Sequence, residues 1–215
     1  MDTEIVKSQE KDIAHRAASV LQSGGLVAFP TDTVYGVAAL TWQTAAVARL
    51  YQVKQRPQSR PIPLLLSDQA QVEQVAYLTD RWVPLATQFW PGGLTLVLPK
   101  HERVPDIVSL GPTVAVRVPG LDLSREIIRH AGGVLAVTSA NLSGQPSPVT
   151  AQEVAAQLGG QIEMIVDGGP CPQGIASTIL DCTQTPPRVL RSGAIAETAL
   201  RAAIGEMATE SKENT

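Results

Sequence analysis

The sequence predicts an α/β fold in which helices cover a sheet within a single domain. Short apolar runs alternate with segments of about ten residues that have helical periodicity, the pattern of a layered α/β protein. The apolar runs are continuous rather than interrupted by polar residues, as expected for strands covered on both faces of a sheet. The chain of 215 residues is 44 % hydrophobic, which is enough to build a full core.

Helices and strands alternate through the first half of the chain. Ile13, Ala17 and Leu21 recur at helical spacing, and Gly24 and Gly25 end that helix. Apolar runs bounded by proline or glycine predict the strands, the first of which ends at a proline. In chain order, the predicted elements are helix 12–22, strand 26–29, helix 43–53, strand 63–66, helices 69–77 and 80–90, and strand 94–98.

The second half continues the alternation. The predicted elements are strand 114–118, helix 122–131, strand 134–137, helix 150–158, strands 162–166, 178–180 and 189–190, and helix 196–204. Two glycines end the helix at 158. No internal repeat or linker divides the chain, so residues 1–205 are predicted to form one domain. Residues 206–215 are polar and are predicted to be a frayed tail.

Composition narrows the classes of function. Charged residues make up 17 % of the chain and the net charge is −3. These values exclude a disordered chain and argue against a general nucleic-acid binder, which carries a basic surplus. The 17 cations divide into 12 Arg and 5 Lys. Because the planar guanidinium suits phosphate and carboxylate, this excess of arginine suggests local anion sites.

The cysteines and the N-terminal segment indicate an ordinary cytoplasmic protein. Cys171 and Cys182 are too few for a disulfide framework and lack the spacing of a metal site, so we expect two reduced thiols. The N-terminal segment is polar, unlike a signal peptide. No apolar run approaches the roughly 20 residues of a membrane helix, so no membrane contact is expected.

Polar residues that follow buried strands supply the candidate functional groups, because loops at strand ends commonly carry them. The segment 30–36 (PTDTVYG) crowds two threonines, a carboxylate and a phenol into one turn. It is either a capped turn or the mouth of a cleft. The cations of segment 54–60 (KQRPQSR) follow a predicted helix, where they either stabilise the helix dipole or bind a polyphosphate.

Further polar groups recur later in the chain. The segment 113–119 (TVAVRVP) places Arg117 in an apolar strand. A buried guanidinium there needs an anion, either an internal carboxylate or a ligand. The segment 137–144 (VTSANLSG) either forms a local turn or contacts ribose, phosphate or an amino acid. Segments 174–181 and 191–195 each put a polar group beside a short strand.

Several common catalytic patterns are absent from the sequence. It contains no Walker A loop, no strand–GxGxxG–helix pattern and no GxSxG elbow. His15, His101 and His130 are far apart, so we expect surface or packing roles for them. The eight aromatic residues form no basic–aromatic stripe of the kind that binds single-stranded nucleic acid.

These segments, with WPGGLT at 90–95, resemble in order the motifs of the YrdC/Sua5 family, from about residue 10 to about residue 205. Members of that family are L-threonylcarbamoyladenylate synthases. The resemblance implies a twisted mixed sheet flanked by helices, with a large concave cleft lined by positive charge. The length of this chain resembles the short, single-domain form of the family.

The resemblance also implies site residues. Leu65 stands where many members have a histidine that touches the substrate side and others have an aliphatic residue, so the resemblance leaves one threonine contact open. The implied catalytic residues are Lys54, Arg56, Ser139 and Asn141. The implied ATP-binding residues are Arg56, Arg60, Thr113, Asn141, Val149 and Arg191. The implied threonine-binding residues are Thr33, Arg117, Ser139 and Ser177.

The implied reaction converts L-threonine, bicarbonate and ATP into threonylcarbamoyl-AMP and pyrophosphate. It is the first step in forming N6-threonylcarbamoyladenosine in tRNA. Mg²⁺ is expected to accompany ATP, with no protein side chain assigned as a metal ligand. Separate proteins are expected to transfer the threonylcarbamoyl group to tRNA, and direct RNA binding is expected to be weak or absent.

Two other functions compete with this one. A carbamoyl-adenylate-forming domain, as in hydrogenase maturation proteins, needs an acylphosphatase-like domain and zinc-finger cysteines, for which this chain has neither the length nor the cysteines. A non-catalytic RNA- or ribosome-binding module would use the same cleft without chemistry. The net charge of −3 argues against it, since each phosphate contact requires a cation.

Overall fold

A mixed sheet of ten strands forms the centre of the structure, a computed structural model that describes residues 2–208. The strands are β1 (Glu4–Lys7), β2 (Val27–Phe29), β3 (Gly36–Leu40), β4 (Leu64–Leu66), β5 (Leu94–Pro99), β6 (Thr113–Arg117), β7 (Val134–Ser139), β8 (Met164–Asp167), β9 (Thr178–Asp181) and β10 (Arg188–Arg191). Their order across the sheet is β1-β8-β2-β3-β7-β4-β6-β5-β9-β10. Parallel and antiparallel pairs both occur, so the predicted α/β fold with a mixed sheet is confirmed.

Helices lie on both faces of this sheet. They are α1 (Ile13–Gln22), α2 (Thr44–Val53), α3 (Val83–Phe89), α4 (Asp122–His130), α5 (Ala151–Leu158) and α6 (Glu197–Ile204), with a 3₁₀ helix at Gln69–Gln74. The larger apolar core includes side chains of α2, α3, α5 and α6. A smaller core on the opposite face is formed by α1 and α4 with residues of the neighbouring strands.

Helices α1 and α4 cover only part of their face of the sheet. Between them they pack on β2, β3, β4, β7 and β8. The same face of β5, β6 and β9 carries Thr95, Val97, Ala115 and Ile179, and these side chains line a cavity instead of a helix interface. The cleft therefore arises because two short helices leave one side of a wide sheet uncovered.

The structure adds two strands that the sequence pattern did not predict. Strand β3 (GVAAL) lies at the middle of the sheet between β2 and β7, although its small residues have weak strand propensity. Strand β1 pairs with β8 at one edge, although only Val6 of its four residues is buried. The predicted helix 69–77 is a 3₁₀ helix that ends at Gln74, and the predicted helix 80–90 begins only at Val83.

The end of the described chain is packed. Met207 is buried, and the amide of Ala208 donates to the carbonyl of Pro187 over 2.9 Å. Met207 and Ala208 of the predicted frayed tail are therefore held against the domain, and residues 209–215 lie outside the described residues. Within the described part of the chain, no helix has the length and apolar character needed to span a bilayer.

We predict that Thr150→Ala lowers the free energy of unfolding by about 1 kcal/mol. The Thr150 hydroxyl accepts from the amide of Glu153 at 3.3 Å, and the Glu153 carboxylate accepts from the amides of Thr150 and Val149, which forms a capping box at the start of α5. Urea unfolding measures the change. Thr198→Ala, at an exposed position of α6, is the matched control and should have little effect. Equal losses in the two variants would contradict the capping role.

Candidate active site

A cavity of about 290 Å³ opens on the uncovered part of the sheet. Its floor comes from alternate residues of neighbouring strands, including Thr95 and Val97 of β5 and Ala115 and Arg117 of β6. The charged side chains among its lining residues are three arginines: Arg56, Arg117 and Arg191. The cavity thus combines apolar and hydroxyl-bearing side chains with three positive charges, one of them in its floor.

Arg117 is held in the cavity floor by three hydrogen bonds from its guanidinium group. Its Nε donates to the carbonyl of Gly92 at 2.8 Å, its Nη1 to the Thr33 hydroxyl at 2.8 Å, and its Nη2 to Asp32 Oδ1 at 2.5 Å. Arg117 is only 5 % exposed, and burial lowers its pKa while the Asp32 charge acts in the opposite direction. The sequence left open whether a buried Arg117 would pair with an internal carboxylate or with a ligand. The structure shows the internal carboxylate, Asp32, in contact with the guanidinium that faces the cavity.

Asp32 connects this guanidinium to the turn after β6. Its Oδ1 also accepts from the amide of Gly120 at 2.8 Å. A Cβ atom on Gly120 would lie 3.1–3.2 Å from the Asp32 side chain, so glycine allows the turn to approach the carboxylate. The main-chain oxygen of Asp32 accepts from the amide of Gln173 at 3.0 Å, which attaches a third segment.

The threonines of segment 30–36 form a fixed chain of hydrogen bonds. The Thr31 hydroxyl donates its hydrogen to the carbonyl of Val34 at 2.7 Å. The 2.9 Å bond between Thr31 Oγ1 and Thr33 Oγ1 is therefore donated by Thr33, whose oxygen also accepts from Arg117. This segment is thus both a hydrogen-bonded turn and the wall of a cleft, so the two alternatives are not exclusive.

Lys54 fastens the end of α2 to the turn after β7. Its Nζ donates to the main-chain carbonyls of Ser139 and Asn141, and its own carbonyl accepts from the amide of Ser143 at 3.0 Å. The side chain is buried, which lowers the pKa of Lys54 to about 7, and the charge of Arg56 acts in the same direction. Lys54 is absent from the cavity lining, so its predicted catalytic role stays a prediction.

Arg56 organises the next turn and reaches the cavity. Its Nε donates to the carbonyl of Arg60 at 3.0 Å and its Nη2 to that of Pro61 at 2.8 Å. Burial lowers its pKa, and Arg60 adds to the effect. Arg60 itself is exposed and lies outside the cavity lining.

Arg191 and Ser177 form another part of the cavity lining. Arg191 donates to the Ser177 carbonyl from Nε at 3.0 Å and from Nη2 at 2.9 Å, and to the Ser177 hydroxyl from Nη2 at 3.0 Å. Burial lowers the pKa of Arg191, and the charge of Arg56 lowers it further. Gly193 allows its segment to pack closely on the main chain at Ala176, since a Cβ atom there would lie 2.2 Å from the carbonyl oxygen of Ala176.

The structure separates the sequence-predicted residues into two groups. Those that line the cavity are Thr33, Arg56, Arg117, Ser139, Ser177 and Arg191. Those outside the lining are Lys54, Arg60, Thr113, Asn141 and Val149. In the second group, the Asn141 amide nitrogen donates to the carbonyls of Leu142 and Gln145, and the Val149 amide and carbonyl bond to Glu153 and Cys171.

Thr95, a polar residue of the cavity floor, is not among the site residues predicted from the sequence. The Thr95 hydroxyl lies 2.8 Å from that of Ser177, and both side chains line the cavity. Thr95 is the last residue of the WPGGLT segment, which is one of the recognised motifs. A threonine in a strand can be either a buried structural residue or a site residue, and the sequence alone does not distinguish the two.

The cysteines and histidines lie outside this lining. Cys171 and Cys182 are free and buried, and burial raises their thiol pKa values to about 11 and about 12, so both thiols stay protonated. Two of the histidines, which are distant in the sequence, pack on each other. The rings of His15 and His130 lie edge to face, with centroids 5.7 Å apart, between α1 and α4. Residues 2–208 contain no cluster of three or more His, Cys, Asp or Glu side chains that could hold a metal ion.

Comparison with known proteins finds relatives along most of the chain. A Sua5/YciO/YrdC family model, described as telomere recombination, matches residues 19–193. The chain is 42 % identical over 193 residues to a threonylcarbamoyl-AMP synthase of Pyrococcus abyssi and 41 % identical over 206 residues to one of Bacillus subtilis. These matches cover 89 % and 94 % of this chain but 57 % and 59 % of the relatives, so the chain spans less than two thirds of either.

A solved structure resembles the whole described fold. The crystal structure of P. abyssi Sua5 complexed with L-threonine matches with a TM-score of 0.91 at 38 % sequence identity. The match covers 96 % of this chain and 62 % of that protein.

We predict that Asp32→Asn lowers the free energy of unfolding by about 3–5 kcal/mol, because it leaves the Arg117 charge buried without its counter-charge. Asp122→Asn is the matched control, since Asp122 also pairs with an arginine (Arg125) but its side chain is 82 % exposed. That exposed pair should contribute little. Equilibrium urea unfolding compares the two variants, and similar losses would contradict the importance of the buried pair.

We predict that wild-type stability rises relative to Lys54→Met between about pH 7 and about pH 9. The folded-state pKa of Lys54, about 7, lies below its usual 10.5, so in this window the unfolded chain binds more protons than the folded one. Deprotonation therefore removes the cost of a buried charge as the pH rises. Urea midpoints at several pH values give the slope. Lys11→Met, at an exposed position, should keep the wild-type slope, and an unchanged slope in Lys54→Met would refute the assignment.

Proposed function

Because the chain belongs to the Sua5/YciO/YrdC family, we propose that it condenses L-threonine, bicarbonate and ATP into threonylcarbamoyl-AMP and pyrophosphate. The observation that carries the proposal is a cleft whose charged lining is entirely arginine, with one guanidinium set into its floor. Such a cleft suits a carboxylate and a polyphosphate at once. The threonine complex of the similar P. abyssi Sua5 supports the choice of amino acid.

Arg117 is the proposed partner of the threonine carboxylate. A guanidinium has five N–H donors, and the protein uses three of those of Arg117. Two donors stay available for a carboxylate, which accepts well from a guanidinium held in one orientation. The hydroxyls of Ser139 and Ser177 lie on the walls around this position.

Arg56 and Arg191 are the proposed partners of the ATP phosphates. Both line the cavity, burial lowers the pKa of each, and a neighbouring arginine charge lowers it further, Arg60 for Arg56 and Arg56 for Arg191. A polyanion between them would relieve this repulsion as well as pair with both charges. Arg60, Thr113, Asn141 and Val149 stay proposed ATP contacts beyond the lining.

Mg²⁺ is proposed to enter with ATP rather than on a protein site. The described residues hold no cluster of metal-binding side chains, and the charged groups at the cavity are cations. This donor set does not fit a resident Mg²⁺, so no step is assigned to a protein-bound metal.

The proposed chemistry needs positioning and charge compensation rather than a protein nucleophile. The threonine amine and bicarbonate form a carbamate and water. A carbamate oxygen then attacks the α-phosphorus of ATP in line, and pyrophosphate departs with the electron pair of the broken P–O bond. Arg56 and Arg191 offset the charge on the phosphates, and Arg117 holds the amino acid in place. Lys54 keeps the turn at Ser139 and Asn141 in position.

The product is a reactive mixed anhydride, so we propose that a separate protein consumes it by transferring the threonylcarbamoyl group to tRNA. Direct RNA binding by this chain is proposed to be weak, in keeping with its net charge of −3. A non-catalytic RNA-binding module stays the second hypothesis, and no observation at the cavity favours it.

Pyrophosphate release in the presence of ATP, bicarbonate and each of several amino acids tests the proposal. Release that depends on threonine and on bicarbonate is the expected result. Release that is absent, or equal for all amino acids, would refute it.

We predict that Arg56→Ala lowers kcat for threonine-dependent pyrophosphate release by about 100-fold, since one charge-assisted contact to the reacting phosphates is lost. Arg129→Ala, at an exposed position of α4 outside the cavity lining, is the matched control. Its kcat should equal that of the wild type. An unchanged kcat in Arg56→Ala would remove that residue from the proposed phosphate site.

A further inference from the structure

The cavity floor holds one hydroxyl hydrogen for which the protein provides no acceptor. Thr95 and Ser177 are 2 % and 6 % exposed, and both line the cavity. Their hydroxyl oxygens are 2.8 Å apart, so one of the two hydrogens forms this bond. Neither hydroxyl donates to any other group of the described residues, which leaves the second hydrogen uncommitted.

Arg191 favours one direction of this pair. Its Nη2 donates to Ser177 Oγ at 3.0 Å, and a guanidinium can only donate. When Ser177 in turn donates to Thr95, the three groups point the same way and each polarises the next, beginning from a full positive charge. The Thr95 hydroxyl is then the terminal donor of the relay, and its hydrogen is directed to the cavity.

The neighbouring threonine cannot do the same. Thr33 gives its hydroxyl hydrogen to Thr31, because the single hydrogen of Thr31 is already donated to the carbonyl of Val34. The Thr33 oxygen also accepts from Arg117, so Thr33 offers a ligand only acceptor capacity. Thr95 and Thr33 thus present opposite hydrogen-bonding properties to the cavity.

The strand register places Thr95 beside the proposed carboxylate site. Leu96 of β5 pairs with Val116 of β6, so Thr95 and Arg117 occupy the next position of the two strands. Side chains at such positions stand about 4.5–5.5 Å apart at Cβ. Ile179, the partner of Thr95 on β9, provides an apolar neighbour on the other side. An amino acid held at Arg117 by its carboxylate therefore extends its side chain toward one hydroxyl donor and one apolar group.

We propose that Thr95 is a specificity-determining residue that donates a hydrogen bond to the β-hydroxyl of the amino-acid substrate. The inference rests on the proposed function and deepens it, because it names the group that distinguishes threonine from an amino acid of the same shape without the hydroxyl. A site with a donor committed to a substrate hydroxyl rejects the analogue that leaves this donor unpaired.

The test compares L-threonine with L-2-aminobutyrate, which differs from threonine only by lacking the hydroxyl. Calorimetry gives the ratio of the two dissociation constants, and pyrophosphate release gives the ratio of the two kcat/KM values. In Thr95→Val, we expect the preference for threonine to fall about 10-fold to 100-fold while the affinity for 2-aminobutyrate stays within about threefold. Thr95→Ser, which keeps the donor, should retain the wild-type preference.

Thr41→Val is the matched control. Thr41 is also a buried threonine, its hydroxyl donates to the carbonyl of Val134 at 3.1 Å, and it lies outside the cavity lining. The preference for threonine should not change in this variant. If Thr95→Val does not fold, Thr95→Cys replaces it, because a thiol is a weak donor of similar size.

Three results would overturn the proposal. The first is a wild-type preference in Thr95→Val. The second is an equal loss of affinity for both amino acids, which indicates a structural role. The third is a loss of preference in Ser177→Ala alone, which means that the pair donates in the opposite direction. Wild-type release of pyrophosphate with threonine tests the proposed function separately, so the two can fail independently.

Discussion

The ion pair between Arg117 and Asp32 is the constraint around which the site is assembled. Arg117 is only 5 % exposed, so its guanidinium must donate to acceptors of the protein, here an Asp32 oxygen, the Thr33 hydroxyl and the Gly92 carbonyl. These acceptors come from the turn after β2 and the turn before β5, while the charge is on β6. Asp32 also accepts from the amide of Gly120, where a Cβ atom would lie close to the Asp32 side chain. One buried charge thereby holds four chain segments at the cavity floor.

The cleft itself follows from incomplete coverage of the sheet. Helices α1 and α4 are 10 and 9 residues long and pack on the strands from β8 to β4, so the neighbouring strands β6, β5 and β9 are left without a helix on that face. The residues that face outward there include the small or polar Ala115 and Thr95 and the half-buried Val97 and Ile179, and they line the cavity. On this face of the sheet, the strands from β8 to β4 therefore pack against helices, whereas β6, β5 and β9 form the floor of the cavity.

Lys54 and Arg56 belong to one sequence motif but have different structural roles. Lys54 and Arg56 are two residues apart, yet Lys54 directs its amine to the carbonyls of Ser139 and Asn141 while Arg56 reaches the cavity. Both donate to main-chain carbonyls, so each positive charge also stabilises the turn that carries it or its neighbour. Arg56 can both stabilise its turn and line the cavity, because its guanidinium has further N–H donors after it has bonded to the main chain. Arg191 also has both functions, because it donates to Ser177 and lines the cleft.

The sequence by itself determined the α/β class, most elements to within a few residues, and the segments that meet at the site, because apolar runs, helical periodicity and polar residues after strands are local signals. It did not determine β3 or β1, since a run of small residues and a strand with one buried side chain carry a weak local signal. Only the tertiary structure decided which donors face the cavity. Arg117 meets an internal carboxylate 85 residues away, and Thr95 meets Ser177 82 residues away. Whether a polar group is satisfied by the protein or left for a ligand depends on such distant partners, and packing alone brings them together.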